Sequence, residues 1–197
     1  MYKFFHKKNN KGGFTLVETL IAISIFSLSI LALMSVLGQG ISSTNYAKKK
    51  IVASYLAQEG IEYIRNMRDT YVLYGASSQT GWDSFITKIT ANSCTTDGCY
   101  FNPDNIDYID NTQAVIDMTI SPCSPSRCSN APLFYNSSTG KYNYSLLGTN
   151  SGYTRKITAT LIGSPANEIK ISSTVYWTQG SGDSDVSFSE NLFNWAD

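Results

Sequence analysis

The stretch that decides the fold is residues 14–40, FTLVETLIAISIFSLSILALMSVLGQG. Glu18 is its only charged residue, and no charge follows from Thr19 to Ala47. The residues from Phe14 to Leu37 would form a helix of about 36 Å, enough to cross a hydrocarbon layer of about 30 Å. The sequence therefore predicts a transmembrane helix over residues 14–37.

A basic segment precedes this helix. Residues 1–13, MYKFFHKKNNKGG, hold four lysines and no acidic residue, whereas the whole chain of 197 residues carries 15 basic and 15 acidic residues. The first 13 residues therefore carry a charge of +4 and the rest of the chain −4. The positive-inside tendency places the basic end in the cytoplasm. A secretory signal would have a shorter apolar region followed by a small-residue cleavage site. The apolar region here is longer and no such site follows it, so the simplest interpretation is a signal anchor.

Glu18 does not fit a plain anchor, because an ionised carboxylate inside an apolar helix is costly. Two explanations are open. Thr15 and Glu18 could form a capping box, with Glu18 also favoured by the helix dipole. Alternatively, cleavage after Gly13 would give Phe14 a cationic α-amine one turn from Glu18, able to neutralise it in the same chain or in a neighbour. Only the second explanation accounts for a basic leader that ends in two glycines before Phe14.

The order Gly13-Phe14-Thr15-Leu16-Val17-Glu18 followed by an apolar helix resembles the class III signal of type IV pilins and type II secretion pseudopilins. The resemblance implies that prepilin peptidase cleaves after Gly13 and N-methylates Phe14. It also implies that Glu18 acts in filament assembly by pairing with the terminal amine of an adjacent subunit. The implied partners are prepilin peptidase, other pilin or pseudopilin subunits, an assembly ATPase acting through a platform protein, and the membrane.

The pilin resemblance also implies a fold and a location. We expect an α+β, pilin-like fold, in which a long N-terminal helix lays its C-terminal half on an antiparallel β-sheet. The expected location is the inner membrane, with a single pass, an extracytoplasmic C-terminal domain and assembly into a cell-surface or periplasmic filament. No proline precedes Pro103, whereas many major pilins carry one in the apolar helix, which favours a minor pilin or pseudopilin.

The rest of the chain divides into three predicted regions. Residues 38–74 continue the helix, since Val52, Leu56, Tyr63 and Met67 recur near a spacing of three or four. Residues 75–150 are predicted to be irregular and loop-rich. Residues 151–197 show apolar residues at alternate positions between turn sequences, which predicts an antiparallel β-meander with one apolar face.

Four cysteines form two similar units in the loop-rich region. Each pair, Cys94/Cys99 and Cys123/Cys128, is five residues apart with turn residues between its members. Outside the cytoplasm we expect oxidation, with the two local disulfides Cys94–Cys99 and Cys123–Cys128 favoured over cross-pairing. A zinc site made of all four cysteines is the rival interpretation.

The composition does not favour an enzyme. The single histidine, His6, lies in the leader, so the chain after cleavage lacks histidine-based nucleophilic and metal chemistry. We expect no cofactor and no metal. Calcium is a weak alternative at acidic loop residues, because clustered oxygen ligands suit it; the candidates are Asp104, Asp107, Asp110, Asp183 and Asp185.

We therefore interpret the chain as a structural subunit, a minor pilin or pseudopilin, of a type IV pilus-like or type II secretion-like filament. Two alternatives stay open. One is an adhesive or DNA-capturing tip pilin, although the charge of −4 after cleavage disfavours nucleic acid as a partner. The other is an uncleaved, signal-anchored extracytoplasmic binding protein.

Overall fold

A computed structural model describes residues 12–13, 15–102, 119–124 and 127–195. The chain divides into two compact units, Met1–Asn45 and Tyr46–Asp197. The described part of the first unit consists of Gly12, Gly13, Thr15 and the beginning of helix α1 (Leu16–Tyr74). The second unit holds the remainder of α1 and helix α2 (Ser78–Ala91). The second unit also holds seven described strands: β1 Cys99–Phe101, β2 Ile120–Pro122, β3 Pro132–Asn136, β4 Lys141–Asn143, β5 Thr149–Ile162, β6 Glu168–Gln179 and β7 Gly182–Phe193.

The strands form one antiparallel sheet with β5 at its centre. One edge of β5 pairs along its length with β6, which in turn pairs with β7. The other edge of β5 pairs with β3 near its start and with β1 at Ile157, while β4 and β2 extend the sheet from β3 and β1. The strands β5, β6 and β7 are consecutive in the chain and form the predicted meander.

In the second unit α1 packs one face on the sheet. Leu56, Tyr63, Ile64 and Met67, at helical spacing, are buried there. The Tyr63 ring stacks on that of Phe101 in β1, with the ring centroids 3.7 Å apart. Together with the antiparallel sheet, this packing confirms the predicted α+β, pilin-like fold.

Helix α2 corrects the description of residues 75–150 as irregular. The Ser77 hydroxyl accepts a hydrogen bond from the Thr80 amide and caps the helix. The apolar face of α2, which is buried, consists of Trp82, Phe85 and Ile89. The Trp82 indole donates to the Ala166 carbonyl at 2.7 Å. Serine, threonine and glycine give this segment weak helix propensity, so packing of its three large apolar side chains decides the structure.

A buried arginine joins the helix to the sheet. Arg155 lies on the inward face of β5 and is fully buried. Its Nη1 donates to the Leu56 carbonyl at 3.1 Å and to Glu59 Oε2 at 2.5 Å, both on α1. Its guanidinium carbon lies 4.0 Å from the centre of the Phe101 ring. No local sequence pattern indicates the burial of Arg155, although it occupies an inward position between Tyr153 and Ile157.

Polar contacts of lysine and arginine also tie the two ends of the packed helix to the sheet. The Lys49 ammonium donates to the Thr178 carbonyl at 2.9 Å, and Arg68 Nη1 donates to the Phe193 carbonyl at 3.2 Å. Between them, Arg65 Nη2 lies 2.5 Å from Glu190 Oε2. These bonds connect α1 to β6 and β7, whereas Arg155 connects it to β5.

Gly60 allows α1 to approach the sheet closely. A Cβ atom at this position would lie 2.9 Å from Ile157 Cδ1 and nearer still to the Ser173 hydroxyl. Ile157 and Ser173 face each other across β5 and β6. The glycine therefore sits directly over this cross-strand pair, where a larger residue does not fit.

We expect Gly60→Ala to destabilise the second unit. Alanine favours a helix by about 1 kcal/mol over glycine, but overpacking a tight contact costs about 1–3 kcal/mol. The melting temperature should therefore fall in thermal unfolding of the full chain in detergent micelles.

Gly40→Ala is the matched control, since no atom would lie within 4 Å of the added Cβ. Adding Ser173→Ala to Gly60→Ala should recover part of the loss by removing the nearest atom. An unchanged or higher melting temperature for Gly60→Ala would contradict the close contact.

Candidate processing and assembly site

The two glycines before the helix present an accessible backbone. Gly12 and Gly13 are exposed and lie outside regular structure, and α1 begins three residues after Gly13 at Leu16. A Cβ atom built on either glycine meets no atom within 4 Å. The peptide bond after Gly13 is thus sterically accessible from the glycine side. Phe14, the predicted new N-terminus, and the leader up to Lys11 lie outside the described residues.

Thr15 caps the first turn of α1. Its hydroxyl accepts a hydrogen bond from the Glu18 amide at 3.2 Å, and its carbonyl accepts one from the Thr19 amide, also at 3.2 Å. This is the threonine half of a capping box. The Glu18 carboxylate has no ion-pair partner among the described residues. Capping therefore uses only the backbone amide of Glu18, and the carboxylate can still pair with a cation.

The helix beyond Glu18 has an apolar and uncovered surface. Leu16, Phe26 and Leu31 are exposed, and no residue of the most apolar stretch is buried. The Ser24 and Ser29 hydroxyls each donate to the carbonyl four residues earlier at 2.8 Å. The helical backbone and these two hydroxyl groups are thus hydrogen-bonded within α1, as a hydrocarbon environment requires. Within the described part of the chain, α1 is the one helix long and apolar enough to cross a membrane.

Both local cysteine pairs are at bonding distance. The Cα atoms of Cys94 and Cys99 are 4.7 Å apart, and those of Cys123 and Cys128 are 4.5 Å apart, within the range of disulfides. All four side chains are buried. The geometry supports the predicted local pairs over cross-pairing.

Main-chain hydrogen bonds join the two cysteine loops to each other and to the sheet. The Cys123 amide donates to the Gly98 carbonyl at 2.9 Å, and the Ala159 amide of β5 donates to the Cys94 carbonyl at 2.8 Å. Gly98 has a φ of +90°, which a residue with a side chain rarely adopts. The tight turn of the first loop therefore depends on this glycine.

The described calcium candidates lie beside an arginine. Asp183 Oδ2 is 2.7 Å from Arg127 Nη1, and Asp183 Oδ1 accepts a hydrogen bond from the Thr178 hydroxyl at 3.1 Å. The bond from Arg127, with that from Thr178, holds the pKa of the Asp183 carboxyl below its usual value, and the same pair raises the pKa of Arg127. A calcium ion would have to compete with this guanidinium. Asp185 lies across the ladder from Tyr176.

The other calcium candidates, Asp104, Asp107 and Asp110, lie outside the described residues. Within the described residues, no group of three or more histidine, cysteine or acidic side chains is arranged to hold a metal ion.

We expect chymotryptic peptide mapping of the non-reduced, full-length protein to yield two peptides, each with an internal disulfide, because Tyr100 and Phe101 lie between the two loops and no aromatic residue lies within either loop. Cys94 and Cys99 should bond within one peptide, and Cys123 and Cys128 within the other, because each pair is already at bonding distance. Mass spectrometry before and after reduction is the measurement. A peptide joining the two loops, or four free thiols that bind one zinc ion, would contradict the local pairing.

Comparison with known proteins agrees with the N-terminal geometry. Residues 8–34 match the family model described as a prokaryotic N-terminal methylation motif. No curated protein and no solved structure matches the chain. The matched segment includes Gly13, Glu18 and the uncovered apolar part of α1. The chain thus carries at its N-terminus the class III signal of type IV pilins and pseudopilins, the signal of a membrane-anchored, pilin-type subunit that prepilin peptidase processes.

Proposed function

We propose that this chain is a minor pilin or pseudopilin, a structural subunit of a type IV pilus-like or type II secretion-like filament. The observation that carries the proposal is the methylation motif at residues 8–34, which leads directly into the uncovered apolar helix. The motif points to a structural subunit rather than an enzyme. An antiparallel sheet packed on the later part of α1 agrees with this role.

Cleavage after Gly13 prepares the chain for assembly. It removes the leader with its charge of +4, which otherwise holds the N-terminus at the cytoplasmic surface. It also creates a cationic α-amine on Phe14, next to the capped first turn. The processed chain then presents its apolar helix with a positive terminus and, one turn later, the Glu18 carboxylate.

Glu18 sets the axial position of a subunit among its neighbours. An unpaired carboxylate in an apolar bundle is strongly penalised, whereas one facing the Phe14 amine of an adjacent subunit is satisfied. The apolar helix exchanges lipid contacts for contacts with similar helices, which alone would allow many axial offsets. The charge pair selects one of them.

The proposed cellular setting follows from this mechanism. The precursor is stored in the inner membrane with its second unit outside the cytoplasm, where the cysteine pairs oxidise. Prepilin peptidase acts on the cytoplasmic side, and an assembly platform protein then moves the subunit into the filament with other pilin-type subunits.

We expect Gly13→Leu to block processing. A bulky side chain at the position before the cleaved bond prevents the peptidase from accepting the chain, so the protein keeps its leader and does not enter filaments. Intact mass and N-terminal sequencing of membrane-purified protein are the measurements. Gly12→Ala is the matched control, since Gly12 is equally exposed one residue before Gly13. An unchanged mature N-terminus in Gly13→Leu, or an uncleaved wild-type chain, would refute the proposal.

We expect Glu18→Ala to remain in the membrane and be cleaved but to enter filaments about tenfold less. That ratio corresponds to about 1.4 kcal/mol, which is modest for an ion pair in apolar surroundings. Filament and membrane fractions are compared by immunoblotting.

Thr15→Ala separates the two explanations for Glu18, because it removes the cap and keeps the carboxylate. It should assemble much better than Glu18→Ala. Equal defects in the two variants would show that Glu18 acts through the helix start rather than through pairing.

A further inference from the structure

A groove of about 470 Å³ lies in the second unit, between α1 and the hairpin of β3 and β4. Its lining is mostly apolar, and its size is in the range of small-molecule sites. One wall is α1, with Val52, Tyr55, Leu56 and Glu59, and the other is the start of β4 and the turn before it, with Gly140, Lys141 and Tyr142. Each wall thus contributes one tyrosine ring and one charged side chain.

Neighbouring side chains and a tight turn hold the β4 wall in place. The centroid of the Tyr142 ring lies 5.0 Å from that of Tyr135 and 6.2 Å from that of Tyr153. The Gly140 amide donates to the Asn136 carbonyl at 2.8 Å and closes the turn that leads into β4. A Cβ atom on Gly140 would meet no atom within 4 Å, so the groove is open at this point. This wall is therefore ordered before any ligand binds, which lowers the entropic cost of binding.

The α1 wall combines an uncovered aromatic ring with a fixed carboxylate. Tyr55 is 69% exposed, whereas Leu56 beside it is 5% exposed. Glu59, one turn after Tyr55, has its Oε2 atom 2.5 Å from Nη1 of the buried Arg155, while its side chain stays 42% exposed. The bond to the guanidinium fixes the Glu59 carboxylate, and its other oxygen can accept a hydrogen bond from a ligand.

The charges around the groove favour an anionic ligand over a cationic one. Arg155 offsets the charge of Glu59, whereas Lys141 is exposed and forms no ion pair with any other described residue. One positive charge is therefore left unbalanced. A wholly apolar ligand would remove Glu59 and Lys141 from water without replacing their hydrogen bonds, which is costly. The ligand that fits is apolar on its faces, polar at its edges and negatively charged.

We propose that this groove binds an acidic saccharide, a chain of pyranose rings of which one carries a carboxylate. The C–H faces of the rings lie against Tyr55 and Tyr142, whose side chains offer apolar ring surface together with a polar hydroxyl. The saccharide carboxylate pairs with Lys141, and a sugar hydroxyl donates to the free oxygen of Glu59. The groove is large enough for a disaccharide. The second unit thus has a ligand site in addition to its proposed structural role.

Two matched disaccharides test the ligand class. Cellobiouronic acid differs from cellobiose only in a carboxylate that replaces one hydroxymethyl group. Saturation-transfer NMR gives the dissociation constant of each with the full-length protein, in micelles of a detergent without a sugar headgroup. We expect both disaccharides to bind, and the acid to bind about threefold more tightly, because an exposed ion pair contributes little. Lys141→Ala should reduce the affinity for the acid to that for cellobiose and leave the affinity for cellobiose unchanged.

Variants of Tyr55 test the position of the site. Tyr55→Ala should weaken the binding of both disaccharides about tenfold, because it removes one of the two aromatic rings. Its exposure makes a folding defect a poor explanation for that loss. Tyr55→Phe should keep most of the affinity, since it retains the ring. Tyr74→Ala is the matched control, because Tyr74 is also an exposed tyrosine of α1 but does not line the groove.

Three results would overturn the proposal. The first is that neither disaccharide binds, or that both bind equally well. The second is binding that Tyr55→Ala leaves unchanged. The third is protection of Tyr55 from iodination in assembled filaments without saccharide binding to the free protein, which would identify the groove as a contact between subunits. None of these results depends on cleavage after Gly13, so the site and the proposed function are tested separately.

Discussion

The buried guanidinium of Arg155 is the constraint on which the packing of the second unit depends. A charge removed from water must be paired and hydrogen-bonded, or it costs several kcal/mol. Here the helix supplies two partners for Arg155 Nη1, the Leu56 carbonyl and the Glu59 carboxylate, and the Phe101 ring lies against the guanidinium. Sliding α1 by one turn along the sheet would separate Arg155 from both partners. One interaction thus fixes the axial position of the helix, and Gly60, one residue beyond Glu59, allows the close approach that it requires.

Fixing the inner face of a helix also fixes its outer face. Arg155 sets the height of the helix on the sheet, while Lys49 and Arg65 bond to β6 and β7 and resist its rotation. The exposed side of α1 in the second unit is therefore held in a defined orientation relative to the sheet.

Local patterns predicted much of this structure, and non-local pairing explains what they missed. The long helix, the meander and the closely spaced cysteine pairs all have signals within a few residues, as does the N-terminal motif. Arg155 has no such signal, because a charged residue in a strand normally faces water and its burial depends on a helix about 100 residues earlier in the chain. The clustered acidic residues suggest Asp183 as a calcium ligand, but its actual partner, Arg127, is 56 residues away in the chain. Helix α2 has no strong local signal either, because its residues have weak helix propensity and packing favours it.

The capped first turn of α1 shows that the two explanations for Glu18 are compatible. The Thr15 hydroxyl accepts a hydrogen bond from the Glu18 amide, so the cap needs only the backbone of residue 18. The helix dipole favours an acidic side chain there by about 0.3–1 kcal/mol. An ionised carboxylate in an apolar environment costs up to about 2.5–3.5 kcal/mol, so the dipole offsets only part of that cost. In water the ionised Glu18 carboxylate has no such cost. In a bundle of apolar helices, a nearby cation is needed to offset the part of the cost that the helix dipole leaves. The α-amine that the proposed cleavage would create is one turn away in the same sequence and would be repeated in every neighbour, which gives the glycine before Phe14 and the carboxylate of Glu18 a common physical reason.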